Sequence, residues 1–155
     1  SLGGGAEEQA MRDVLRRAND EGITFVAAAG NSEGNNDIEP IYPATYDVPN
    51  VISVASMNKR AKLSGFSNYG PFTVDVAAPG EDVWSTIIFN LYLPSGGTSM
   101  AAPHVAGVAA LVASRYPNWT PAQIRDRIMN TTRPHEDLVG KILSPGMVDA
   151  HAAVQ

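Results

Sequence analysis

Gly97-Thr98-Ser99-Met100-Ala101-Ala102-Pro103-His104-Val105-Ala106-Gly107 is the stretch whose reading decides the fold. A flexible Gly-Gly-Thr entry leads to a serine, and the serine opens a run of small and apolar residues from Ala101 to Ala113. Such a run predicts a helix, about Thr98 to Arg115, packed closely on every side because Ala and Gly let neighbouring backbones approach. Ser99 would then sit at the positive end of the helix, beside N–H groups that lack intrahelical partners. Developing negative charge is stabilised there, which suits a nucleophilic serine. Set against that is the bland role of a serine before a helix, a cap.

Working outward, upstream residues supply the sheet. Ala6, Ala10, Met11, Val14, Leu15 and Ala18 recur at helical spacing and predict an amphipathic helix ending near Gly22. Ile23–Ala28, Val51–Ala55 and Val74–Ala77 are short apolar runs of the kind found in strands buried on both faces of a parallel sheet. Trp84–Leu93 alternates weakly before Pro94-Ser95-Gly96-Gly97 and predicts an irregular or hairpin segment. Downstream, Thr120-Pro121-Ala122-Gln123 is a helix start, with Thr as cap, Pro at the first position and Gln reaching back. A short last helix is expected near Asp149–Val154.

Helix, three strands and helix in this order make an α/β pattern with a mostly parallel sheet. Three strands are few for 155 residues, and Ile23–Ala28 would form an open apolar edge unless another strand covered it. Leu2-Gly3-Gly4 reads as the tail of that missing strand, so residues 1–155 are expected to be the second half of a larger domain.

Composition excludes several functions. The chain is 44% hydrophobic and 17% charged, with net charge -5, no basic cluster and no interleaved aromatics, so no nucleic-acid partner is expected. No apolar run reaches the roughly 18 residues of a membrane span, so no membrane partner is expected either. Cysteine is absent, which removes disulfides and thiolate metal sites.

The segment Gly97–Gly107 resembles, residue for residue, the nucleophile segment of the subtilisin-like serine proteases, and the likeness runs from Ser1-Leu2-Gly3-Gly4 to Gly146-Met147-Val148-Asp149-Ala150. The resemblance implies a three-layer α/β/α fold, of which this chain is the C-terminal part. It implies a serine endopeptidase, secreted or extracytoplasmic, acting on peptide or protein substrate through an acyl-enzyme at Ser99. The Ser99 N–H would be one oxyanion donor, and Thr98 would fix the helix entrance.

Asn31 follows Ala27-Ala28-Ala29-Gly30, a strand end that delivers it to the carboxyl edge of a parallel sheet, where open α/β folds place ligands. On its own, Asn-Ser reads as a turn. Ala-Ala-Gly-Asn resembles the family's oxyanion segment, which makes the Asn31 amide the second donor. The resemblance also assigns Leu2, Gly3 and Gly4 to one wall of the pocket for the residue before the scissile bond. It assigns Ala28, Ala29 and Gly30 to the other wall and Ile41 to the floor, against plain core packing for Ile41. Small walls over an apolar floor imply a medium apolar side chain such as Leu or Met.

A serine nucleophile needs a base. His104 lies five residues after Ser99, about 140° around the helix, and matches a structural histidine of the family. His135 and His151 have no motif around them. The family's His-Gly-Thr and Asp-Thr-Gly or Asp-Ser-Gly motifs do not occur here. Family chain order is Asp, His, Ser, so both would lie upstream of Ser1. The chain alone is expected to be inactive, and to pair with that upstream half or self-associate through its sheet edge. The alternative is a non-catalytic binding or assembly module built on the same fold. Asp75, with carbonyls near Ala44 and Tyr46, matches a weak calcium or monovalent-cation site of some relatives. One carboxylate is thin support against a solvated Asp at a strand start, so no metal or cofactor is assigned.

Overall fold

A computed structural model describes residues 3–155. The expectations attached to Leu2 lie outside the described residues. Helix α1 spans Gln9–Asp20 and strand β1 Phe25–Ala28. Strands β2, Val51–Met57, and β3, Val76–Pro79, follow. A hairpin then joins β4, Val83–Ile87, to β5, Leu91–Ser95. Helix α2 is Thr98–Arg115 and α3 is Pro121–Asn130. Two short strands, β6 (Arg133–Pro134) and β7 (Gly146–Met147), precede helix α4, Ala150–Val154.

The main sheet runs β1-β2-β3-β7-β6, parallel throughout except for the antiparallel β6–β7 pair. Among the described residues it therefore has five strands where the sequence reading expects three. The two extra strands are two residues each, too short to show any periodicity. β3 also starts two residues later than expected, because Val74 and Asp75 lead into it. Gly3 and Gly4 form no strand; the Gly4 N–H is bonded to the Tyr42 carbonyl at 3.1 Å instead.

β2 is buried at all seven positions, and alternation sends its side chains to opposite faces. Ile52 and Val54 meet Ala101, Ala102, Val105, Val108, Ala109 and Val112 of α2, with Ile124 and Ile128 of α3 and Ala153 of α4 behind. On the other face Ala55 and Met57 join Val74, Ala77, Leu138 and Ile142, while Val51 joins Ala27, Tyr46 and Leu15 of α1. Helices on both faces of a parallel sheet give the three-layer α/β/α arrangement. β1 remains its edge strand.

α2 matches its sequence reading at both ends. It begins late enough to need Gly97, whose φ of 149° is open to glycine and strained for other residues. α3 carries the expected capping box: the Gln123 N–H donates to Thr120 Oγ1 and the Thr120 N–H to Gln123 Oε1. The β4–β5 hairpin is exposed along nearly its whole length, and Trp84, Ile88, Phe89 and Tyr92 face solvent. No helix among the described residues is long and apolar enough to cross a membrane.

Candidate active site

α2 brings Ser99 to the carboxyl end of the sheet, and the turn after β1 brings Asn31 to the same place. Between them lies a cleft of about 200 Å³, lined by Gly3, Gly4, Ala28, Gly30, Asn31, Ser32, Ile41, Thr98 and Ser99. The structure thus gathers residues from four separate parts of the chain. Of the described residues named from the sequence, only Ala29 is missing from the lining. Its methyl group is buried among Ala55, Val74 and Leu138 on the far face of the sheet. Its N–H donates to the Val54 carbonyl at 3.0 Å and its carbonyl accepts from Asn36 Nδ2 at 2.8 Å. Strand alternation explains the correction: if Ala28 faces one way, Ala29 must face the other.

Thr98 does more than fix a helix entrance. It is fully buried, and both its N–H, at 2.8 Å, and its hydroxyl, at 3.0 Å, donate to Asn31 Oδ1. With the carboxamide oxygen held by two donors, Nδ2 is the end of Asn31 left to face a ligand. The same Thr98 Oγ1 accepts the Gly30 N–H at 3.1 Å, tying the turn to the helix. Asn31 Nδ2 lies near Gly97, where a Cβ would stand 3.5 Å from it. The arrangement offers neutral hydrogen-bond donors beside a serine at a helix N-terminus, which is how charge on a tetrahedral carbonyl oxygen is stabilised.

None of the three histidines lines the cleft. His104 is exposed on α2, with Nδ1 2.9 Å from the Met100 carbonyl. His135 accepts the Asp137 N–H, and His151 sits exposed on α4 beside Gln155.

Asp75 is not the solvated strand-start residue weighed from the sequence. It is buried; its Oδ1 accepts from Arg125 Nη2 at 2.6 Å and its Oδ2 from the Ser53 N–H at 2.8 Å. Burial pushes its carboxyl above the ordinary range, opposed by Arg125 and the Ser53 N–H. A guanidinium already in contact with the carboxylate competes with any cation for the same oxygen. No group of three or more acidic, His or Cys side chains among the described residues suits a metal.

Ser32 and the buried amides Asn36 and Asn68, which hold the turn behind the cleft, were not found from the sequence. Ser32 was findable as the neighbour of Asn31. Asn68 was not, because nothing local separates a buried Asn from a turn Asn.

The chain belongs to the subtilase family, whose model matches residues 1–149. It is 46% identical to the thermostable alkaline protease of Halalkalibacterium halodurans over 84% of this chain and 35% of that protein. With subtilisin E of Bacillus subtilis it shares 39% identity over 100% of this chain and 40% of the relative. Among solved structures, proteases from Pseudoalteromonas arctica superpose with a TM-score of 0.87 at 36% identity, covering 99% of this chain and 48% of that one. The chain therefore spans less than half the length of these relatives, which are named as proteases and a subtilisin.

Proposed function

We propose that this chain is the nucleophile-bearing part of a subtilisin-like serine endopeptidase. Ser99 Oγ attacks the carbonyl carbon of a peptide bond, forming a C–O bond and placing negative charge on the carbonyl oxygen. Asn31 Nδ2 and the Ser99 N–H donate to that oxygen. The C–N bond then breaks, the amine leaves with the serine's proton, and water later hydrolyses the acyl ester. The proton is carried by a His–Asp pair from residues outside this chain, since a serine hydroxyl is a poor nucleophile without an adjacent base. The chain by itself is therefore inactive, and its open β1 edge and α2 are covered by that missing part or by a second copy. An extracytoplasmic setting belongs to the same proposal.

The observation that carries the reading is the grip of Thr98 on Asn31 Oδ1, which aims the Asn31 donor across the cleft that Ser99 lines. Gly3, Gly4, Ala28 and Gly30 as walls and Ile41 as floor would take a medium apolar side chain before the scissile bond.

The test is fluorophosphonate labelling of the product of the whole reading frame, followed by peptide mapping. Label is expected on the peptide containing Ser99 and lost in Ser99→Ala. Label elsewhere overturns the assignment. A whole product that binds peptides yet takes no label at Ser99 supports the binding-module alternative instead.

A further inference from the structure

The turn Ala29–Gly34 surrounds Asn31, and it is held from behind by two buried amides that are not part of the cleft lining. Asn68 is 2% exposed and Asn36 0%. Asn68 Oδ1 accepts the Ser32 N–H at 2.7 Å and the Gly34 N–H at 3.1 Å. Its own N–H donates to the Gly30 carbonyl at 2.9 Å. Its Nδ2 donates to Asn36 Oδ1 at 2.9 Å, and Asn36 Nδ2 passes the connection on to the Ala29 carbonyl at 2.8 Å. The two amides thus grip the residues on either side of Asn31, while Thr98 grips the Asn31 side chain from the front.

We propose that Asn68, with Asn36 as its partner, is a positioning residue that sets where the Asn31 donor stands; the role rests on the reading of Asn31 as an oxyanion donor. Three facts carry it. First, Asn68 packs flush against the turn. A Cβ on Gly30 would stand 2.6 Å from Asn68 Nδ2, so the turn and the amide are fitted to each other. Second, a buried amide is costly unless its hydrogen bonds are made, and an apolar side chain would fill the space without that demand. What the amide supplies and an apolar side chain cannot is a pair of fixed bonds to Ser32 and Gly34. Third, a transition-state donor works only when it is already in place, and small displacements of reacting groups cost large factors in rate. Asn68 is not itself in the cleft lining and reaches it only through the turn that carries Asn31, so the part of its effect that belongs to the Asn31 donor is read in turnover.

The experiment is a double-mutant cycle on the product of the whole reading frame, with rates normalised to the fluorophosphonate-titrated serine so that misfolded protein does not count. Asn68→Ala is expected to lower kcat by about 10- to 100-fold with KM changed by less than about 2-fold. In an Asn31→Leu background the same substitution is expected to lower kcat by less than about 3-fold, because no donor is left to position. Equal losses in the two backgrounds overturn the proposal and make Asn68 a merely structural residue. So does a loss that appears in KM alone.

Asn68→Asp covers the case in which Asn68→Ala does not fold. It keeps an acceptor for Ser32 and Gly34 but sets oxygen against Asn36 Oδ1, and a loss of kcat coupled to Asn31 is again expected. An unchanged kcat for Asn31→Leu alone would remove the oxyanion reading itself, and the positioning role with it. Those two failures are distinguishable.

Discussion

Asn31 is the residue on which the proposed chemistry turns, because its oxygen already accepts from Thr98 twice and its nitrogen is the end left for a ligand. Asn31→Leu keeps the side chain's size and removes the donor. In the complete enzyme it is expected to lower kcat by about 10²–10³ with little change in KM, a magnitude taken over from subtilisin, itself a member of this family. Steady-state kinetics on a variant with an unaltered circular dichroism spectrum checks it. At this scale the placement of Ser99, Asn31 and Ile41 on one cleft is legible, because each stands in an unbroken local motif. Ala29 was assigned to the wrong side, although strand alternation was available to correct it. Asn68 was invisible, since its role depends on a turn more than 30 residues away in sequence.

The elements were legible in proportion to their length. α2 spans eighteen residues and its ends coincide with the prediction, because Gly97 and the Tyr116-Pro117 turn bracket one continuous apolar run. α1 was placed three residues too early: Ala6 belongs to an approach segment whose end is fixed by the Glu8 N–H donating to the Tyr46 hydroxyl, a contact across 38 residues. β6 and β7 leave no trace in the sequence. β6 follows α3 directly, and β7 is held between β6 and β3 through Met147, which pairs with Arg133 and Ala77.

The start of α3 was legible in full, and its capping box invites a quantitative check. Thr120→Ala removes the acceptor for the Gln123 N–H and is expected to cost about 1 kcal/mol. Chemical denaturation should show a lower midpoint at unchanged slope; an equal midpoint would mean that Pro121 alone sets the start.

At the scale of the whole molecule, two aspartates respond to acid with opposite sign. Asp137 accepts the Leu63 N–H and pairs with Lys141, and these hold its carboxyl below the ordinary 3.8. Its folded state prefers the ionised form, so its contribution is present above the unfolded pKa and lost as pH falls through the folded one. Asp75 runs the other way. Burial raises its carboxyl, so its contribution is fully present below the unfolded pKa and lost as pH rises through the folded value. Thermal unfolding between about pH 3 and pH 7 should show a shallower acid decline in Asp137→Asn. In Asp75→Asn the component that weakens with rising pH should vanish. Parallel curves for wild type and both variants would contradict the two assignments.

The exposed β4–β5 hairpin has a further consequence, optical in kind. The chain holds two tryptophans, and the fold exposes them unequally. Trp119 is stacked on Tyr116, with ring centroids 4.0 Å apart and planes 7° from parallel, while Trp84 stands 69% exposed on the hairpin. Indole emission shifts to the blue as water is withdrawn. Trp119 is partly buried, so the red edge of this protein's fluorescence, and the larger part of what iodide can quench, belongs to Trp84. Anything that comes to lie on the hairpin writes itself into that signal without a label being added.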